Sequence, residues 1–156
     1  MMLLDDRDKA IIRELQRDGT LSADDLAARV HLSRNACWRR MKALEEHGVL
    51  RKRVALADPV ALNVALSVMI SVRTSRHSGE WADQFRKAIL GIPEIVAAYR
   101  TAGDIDYILH ARIPDVSAYD RLYKKLIERV DMVDVSASFV MEEIKSSTEL
   151  PLEFLP

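Results

Sequence analysis

The spacing of apolar residues changes near residue 63 of this 156-residue chain, and the change predicts two domains of different architecture. In the first third of the chain, apolar residues recur every three or four positions, as they do in amphipathic helices. Beyond residue 63 they occupy alternate positions, as in a strand with one buried face. The clearest alternating stretch contains Val64, Leu66, Val68, Ile70 and Val72.

Three short helices are predicted in residues 5–47. The first spans residues 5–17 and has aspartates in its first turn, where the helix dipole favours acidic side chains. Ser22 is expected to cap the second helix, and Ser33 a third helix that runs to about His47. Because a three-residue turn joins the second helix to the third, the arrangement predicts a helix-turn-helix.

The third predicted helix and the segment after it are basic. Residues 33–53 contain seven Lys or Arg residues against two Glu residues, a net charge of +5, whereas residues 54–156 carry a net charge of −4. A basic cluster in an otherwise acidic chain is typical of a protein that binds a polyanion. A small helical bundle with a basic surface helix is the alternative to a DNA-binding domain.

Residues at the start of a recognition helix read base edges, and basic residues further along it contact phosphates. The candidate DNA-binding residues are therefore Ser33, Arg34, Asn35, Ala36, Trp38, Arg39, Arg40 and Lys42. The phosphate contacts are assigned to Arg39, Arg40 and Lys42. For Trp38 and Met41, however, a position in the domain core is favoured over a DNA contact.

The second domain is predicted to have the element order β-α-β-β-α-β, which is the ferredoxin-like plan. Its strands are expected near residues 64–72, 95–101, 107–113 and 133–144. A sheet of this kind has helices on one face only. Because apolar residues such as Met69, Ile108 and Val140 are expected on the other face, we expect a second copy of the chain to cover it.

The predicted fold class is therefore α+β, with two domains and a connector. We expect a helix-turn-helix domain in residues 1–50, a strand and linker in residues 51–62, and a ferredoxin-like domain in residues 63–156. No apolar stretch reaches the 18 residues of a membrane span, and the N-terminus lacks the pattern of a secretory signal. The single cysteine fits a reducing cytoplasm.

The sequence offers no strong catalytic constellation, so we predict no enzymatic activity. The four histidines lie in different predicted elements and lack the spacing of metal ligands, which predicts no metal site. Cys37 lies beside Arg39 and Arg40, whose charges could lower the pKa of its thiol. A redox switch is thus the alternative to a buried structural cysteine.

The segment from Arg100 to Tyr107 contains a Gly-Asp turn at residues 103–104. Glycine allows a ligand to approach the backbone closely, and backbone amides with a carboxylate can hold the two charged ends of an amino acid. Spacing alone favours an ordinary hairpin turn. An acid–base or metal pair formed by Asp104 and Asp106 is an enzymatic alternative with little support, because no third ligand is nearby.

The chain resembles the Lrp/AsnC, or feast-famine, family of transcription regulators over nearly its whole length. The N-terminal matches are LDDRDKAII at residues 4–12, LQRDG at 15–19 and CWRRMKALE at 37–45. The C-terminal matches are GDIDY at 103–107 and MEEIK at 141–145. The resemblance implies a winged-type helix-turn-helix and a ligand-sensing ferredoxin-like (RAM-type) domain. It also implies dimers that assemble into tetramers or octamers.

The resemblance implies an effector, usually an amino acid, that binds between dimers, and no other cofactor. The implied effector-binding residues are Thr101, Ala102, Gly103, Asp104, Asp106, Tyr107, Ser136 and Ser138. In this scheme Gly103 and Asp104 meet the charged groups of the effector. The alternative is a DNA-organising protein of the same fold that has no effector.

Three short segments resemble a narrower branch, which contains the bacterial cysteine-detoxification regulator. They are residues 77–81, 138–142 and 150–152, and they suggest a sulfur-containing amino acid as effector. The chain departs from the family pattern at His31 and Asn63, where glycine is frequent. Because Asn and His tolerate left-handed backbone conformations better than most residues, we expect both turns to be preserved.

Overall fold

The computed structural model describes residues 3–154, which form two compact units. One unit contains the residues up to Leu56 together with the segment that begins at Lys145, and the other runs from Ala57 to Ile144. The sequence prediction assigned all residues from 63 onward to one domain, whereas the structure places the C-terminal segment in the first unit. Residues 1–2 of the predicted first domain and residues 155–156 of the predicted last domain lie outside the described residues.

The first unit contains three helices, α1 (Asp6–Arg17), α2 (Ala23–Arg29) and α3 (Arg34–Glu46). Each begins at a residue whose side chain accepts a hydrogen bond from a main-chain N–H of the first turn, and these caps are Asp5, Ser22 and Ser33. The helices bury a shared core that includes Ile11, Leu26 and Leu44. The predicted helix-turn-helix is thus confirmed.

The turn between α2 and α3 requires a left-handed backbone at His31, where φ is +53°. Asn63, in the connector, has φ of +56°. Both residues adopt the left-handed conformation that the sequence led us to expect. The departures from the family pattern therefore do not alter the turns.

The strand predicted in the segment after α3 is absent. Residues 51–58 contain no helix or strand, and Val54 and Leu56 are 62% and 77% exposed. A strand needs a hydrogen-bonded neighbour, and no strand is present among the described residues of the first unit that could pair with this one. The prediction relied on local composition, which carries no information about a pairing partner.

The second unit has the predicted β-α-β-β-α-β order. Its elements are β1 (Leu66–Arg73), α4 (Gly79–Leu90), β2 (Ile95–Arg100), β3 (Tyr107–Ile113), α5 (Val116–Ile127) and β4 (Asp134–Phe139). The antiparallel sheet has the strand order β2-β3-β1-β4. Its buried face, which includes Ile70 and Leu109, shares one core with α4 and α5, where Leu122 and Leu126 are fully buried.

Strand β4 is shorter than predicted, since it ends at Phe139 and not at Ile144. Phe139 lies opposite Val68 of β1, and the Val140 N–H still donates to the Ser67 carbonyl oxygen at 2.9 Å. Strand β1 begins one residue earlier, at Leu66, so residues beyond 140 have no strand to pair with. Because β4 lies at the edge of the sheet, no second neighbour can replace β1.

Candidate DNA-binding helix and effector loop

The first turn of α3 presents polar residues at its surface. The Ser33 hydroxyl accepts a hydrogen bond from the Ala36 N–H at 3.3 Å, so this side chain is occupied as the helix cap. Arg34 and Asn35 are exposed. The Arg34 guanidinium lies 3.3 Å from the Asp24 carboxylate, but both side chains are at least 65% exposed. Such a pair contributes little to stability, so Arg34 can exchange it for another partner.

The exposed and buried residues of α3 alternate with helical periodicity. Cys37, Met41 and Leu44 face the core, whereas Trp38 and Arg39 lie on the surface. The predicted core position of Met41 is confirmed, but that of Trp38 is wrong, because its side chain is 51% exposed. A half-exposed tryptophan beside an arginine on a basic helix is available to a partner.

Arg40 is held by two carboxylates of α1. Its Nη1 lies 2.8 Å from Asp5 and 2.8 Å from Asp8. The Asp8 side chain is only 4% exposed, whereas that of Arg40 is 35% exposed. Asp5 and Asp8 also form a capping box at the start of α1. The phosphate contact predicted for Arg40 therefore competes with an ion-pair cluster that joins α1 to α3.

The Arg40 cluster affects the pKa of its members. The pKa of the Asp5 carboxyl is lowered, mainly by the hydrogen bond from the Asp8 main chain and further by Arg40. The pKa of the Arg40 guanidinium is raised by its hydrogen bonds to Asp8 and Asp5. The other predicted phosphate contact, Lys42, pairs with Glu45 at 2.9 Å on the exposed side of α3.

Cys37 is the single cysteine of the chain, and it is 1% exposed. Burial raises the pKa of its thiol. The predicted lowering by Arg39 and Arg40 is therefore wrong, because Arg40 points to the carboxylates of α1 and the thiol points into the core. The geometry is that of a structural cysteine and not of a reactive one.

The loop between β2 and β3 is closed by hydrogen bonds at its base. The Thr101 N–H donates to the Asp106 carbonyl oxygen at 2.9 Å, and the Thr101 hydroxyl donates to the carbonyl oxygen of Ile105. Gly103 has φ of +126°, a conformation that L side chains rarely adopt. These constraints leave Ala102, Gly103 and Asp104 exposed at the tip of the loop.

Asp106 and Tyr107 support the loop from inside the second unit. The Asp106 carboxylate accepts a hydrogen bond from the Thr74 N–H at 2.8 Å. The Tyr107 ring packs against Phe85 and Trp81, with centroid distances of 4.4 and 5.8 Å. Both side chains are thus engaged in holding the loop.

Ser136 and Ser138 are exposed residues of β4. The sheet register places Ser136 opposite Ser71, and Ser138 opposite Met69. These residues therefore lie on the sheet face that α4 and α5 do not cover. The structure places the loop tip at an end of the β2–β3 hairpin and the two serines on this open face.

The uncovered sheet face also holds a polar pair that sequence reasoning missed. The Ser67 hydroxyl and the His110 Nε2 lie 2.8 Å apart on neighbouring strands, and Ser67 is 7% exposed. Burial, together with the nearby charge of Arg112, lowers the pKa of the His110 imidazole. In the register of β1 and β3, Met69 lies opposite His110, which places Ser67 diagonally beside His110. This register was the only signal that could have placed the two side chains together.

Within residues 3–154, no group of three or more His, Cys, Asp or Glu side chains is arranged to hold a metal ion. None of the helices in this part of the chain has the length and apolar character that crossing a membrane requires.

Two family models match the two halves of the chain. A winged helix-turn-helix DNA-binding domain matches residues 4–51, and an Lrp/AsnC ligand binding domain matches residues 67–150. A helix-turn-helix joined to a ligand-binding sheet domain defines a class of two-domain transcription regulators. The chain belongs to the Lrp/AsnC family of this class, as its sequence indicated.

Several relatives align over almost their full length. The glutamate uptake regulatory protein of Zymomonas mobilis is 47% identical over 149 residues, covering 96% of this chain and 91% of the relative. The DNA-binding transcriptional activator DecR of Escherichia coli is 39% identical and covers 97% and 100% of the two chains. The homologues are DNA-binding transcription regulators.

Two crystal structures share the fold closely. An AsnC family transcriptional regulator from Agrobacterium tumefaciens has a TM-score of 0.95 with 47% identity, covering 98% of this chain and 100% of that one. A transcriptional regulator from Neisseria meningitidis, solved as a complex with L-methionine, has a TM-score of 0.93 with 34% identity, covering 98% and 99%. The predicted α+β fold, with its ferredoxin-like second domain, is therefore confirmed.

Proposed function

We propose that this protein is a cytoplasmic, non-enzymatic transcription regulator whose DNA binding responds to an amino acid. The observation that carries the effector half of the proposal is the β2–β3 loop, in which Gly103 and Asp104 are exposed above a hydrogen-bonded base. A preorganised loop whose exposed tip carries a carboxylate and main-chain N–H groups suits a zwitterionic ligand. The L-methionine complex of the Neisseria meningitidis relative supports an amino acid as the ligand class.

The proposed DNA-contacting surface is the exposed side of α3. Arg34 and Asn35 read base edges, Trp38 and Arg39 contact the backbone or groove wall, and Lys42 adds a phosphate contact. Ser33 and Ala36 contribute the main chain at the helix start, where N–H groups favour a phosphate. Arg40 positions α3 through Asp5 and Asp8 and does not contact phosphate directly.

In the proposed effector site, Asp104 binds the ammonium group, and the main chain of Ala102 and Gly103 binds the carboxylate. Thr101, Asp106 and Tyr107 hold the loop in shape through their hydrogen bonds and ring packing. Ser136 and Ser138 close the site when a further copy of the chain approaches. The suggestion of a sulfur-containing amino acid stays a prediction, since one relative is named for glutamate uptake and another was solved with L-methionine.

We further propose that a second copy covers the open sheet face. Met69 is 39% exposed there, Ile108 is half-buried, and the Ser67–His110 pair satisfies its own hydrogen bond. A face with few uncompensated charges is suited to association. The two-fold symmetry of such a dimer would match a pseudo-palindromic DNA site, and the dimers would assemble further into tetramers or octamers.

A thermal-shift screen against the twenty amino acids tests the effector. A ligand that binds only the native state raises its stability, by about 2.7 kcal/mol at a hundredfold excess over Kd. We expect one or a few amino acids to raise the Tm of the wild type and not that of Asp104→Ala. The control is Asp83→Ala, which removes a carboxylate whose pair with Arg86 lies on the exposed side of α4. No shift with any amino acid would favour the DNA-organising alternative.

A further inference from the structure

The C-terminal segment, residues 145–154, lies in the first unit together with the helix-turn-helix. We name this segment the C-terminal latch. The chain crosses between the two units twice, once after Leu56 and once after Ile144. The latch therefore follows directly in sequence from the second unit but packs on the first.

Gln16 of α1 binds the main chain of the latch through both ends of its side-chain amide. Its Oε1 accepts from the Leu150 N–H at 2.7 Å, and its Nε2 donates to the Leu150 carbonyl oxygen at 3.2 Å. A primary amide offers the same donor and acceptor as a peptide group, so Gln16 pairs with the extended latch as a neighbouring strand would. The Leu150 side chain is 72% exposed and does not contribute to this recognition.

Three further contacts secure the latch. The Thr148 hydroxyl donates to the Gln16 carbonyl oxygen at 3.2 Å, which satisfies one of the last carbonyl groups of α1. The Arg17 Nε lies 2.6 Å from the Glu149 carboxylate. Leu152 packs against the core that α1 shares with α3, where Leu15 and Leu44 are buried.

We infer that the C-terminal latch is a functional part of the DNA-binding unit. The affinity of the protein for its DNA site then depends on the docking of the latch at Gln16. The latch fixes the last turn of α1, and α1 fixes α3 through their common core. When the latch undocks, the C-terminal end of α1 loses these contacts and Leu152 becomes exposed. The packing of α1 against the recognition helix α3 is then weakened.

Hydrogen exchange and DNA binding of the full chain test this inference. The variants are Gln16→Ala and a chain that ends after Ile144, and the matched control is Glu153→Ala, since Glu153 forms no ion pair within the described residues. The DNA probe is the duplex that the wild-type protein selects from a random library, and its Kd is measured by fluorescence anisotropy.

We expect Gln16→Ala and the shortened chain to exchange the amides of α1 about tenfold faster, because one net hydrogen bond already changes an opening equilibrium several-fold. We expect their affinity for the selected duplex to fall at least about fivefold, and Glu153→Ala to match the wild type in both measurements. Wild-type affinity of the shortened chain would overturn the inference, as would wild-type exchange in α1 of Gln16→Ala. If the shortened chain fails to fold, Gln16→Ala decides the outcome.

Discussion

Replacing Arg40 by alanine is expected to destabilise the helix-turn-helix rather than to remove a DNA contact. The variant leaves Asp8 with a 4%-exposed carboxylate, whose remaining hydrogen bond within the described residues comes from the Asp5 N–H at 3.1 Å. Breaking a buried ion pair by removing one partner costs about 3–5 kcal/mol. Because Arg40 is 35% exposed and Asp5 52% exposed, solvent screens part of this interaction, and about 2 kcal/mol is the more realistic loss.

A loss of this size lowers the Tm of a small domain by roughly 10 °C. Circular dichroism of Arg40→Ala, with Arg39→Ala as the matched control, measures the effect. Arg39 is exposed and should leave the Tm within about 2 °C, since surface substitutions change stability by less than about 0.5 kcal/mol. Adding Asp8→Asn to Arg40→Ala removes the uncompensated charge of Asp8. This double variant should recover much of the stability that Arg40→Ala loses.

A phosphate contact at Arg40 would give a different pattern. Arg40→Ala would then weaken DNA binding as much as Arg39→Ala at an unchanged Tm, and Asp8→Asn would restore neither stability nor affinity. That pattern would refute the positioning role of Arg40 and show that it contacts DNA.

Four other predictions concern the recognition helix, the core thiol and the sheet face. Arg39→Ala should weaken binding to all duplexes and reduce the slope of log K against log salt by about one, as measured by anisotropy at several salt concentrations, and an unchanged slope would exclude a phosphate contact. Arg34→Ala should instead change the base preference in a selection experiment, and a profile identical to that of the wild type would argue against base readout by this residue. Cys37 should react with iodoacetamide only slowly in the native protein and rapidly in urea, because burial raises the pKa of its thiol, and rapid native alkylation would revive the redox alternative. Folding stability should decrease as the pH falls below about 6.5, since the unfolded His110 binds a proton there and the folded one, with its lowered pKa, does not. Urea titrations should show a smaller decrease of the unfolding free energy for His110→Gln than for the wild type, and equal decreases would contradict this prediction.

The sequence predicted those features that depend on neighbouring residues. The caps at Ser22 and Ser33 follow from a side chain that reaches an N–H three residues ahead. The alternating pattern of β1 likewise places its buried face correctly. Element types and most boundaries were therefore accessible without a structure.

The missed features join residues that are far apart in the chain. Arg40 meets Asp8 across 32 residues, and the C-terminal latch meets Gln16 across 134 residues. No local pattern distinguishes an arginine that will bind a carboxylate from one that stays free for phosphate. The same limit explains the strand predicted after α3, since its residue pattern suits a strand but the described residues of its unit supply no partner strand.

The most direct test of the account compares DNA binding with and without an amino acid. The wild-type protein is used to select duplexes from a random library, and the Kd of the selected duplex is measured alone and with each of the twenty amino acids. We expect a pseudo-palindromic duplex whose Kd changes with one or a few amino acids in the wild type but not in Asp104→Ala. Failure to select any preferred duplex, or a Kd that no amino acid changes, would contradict the account.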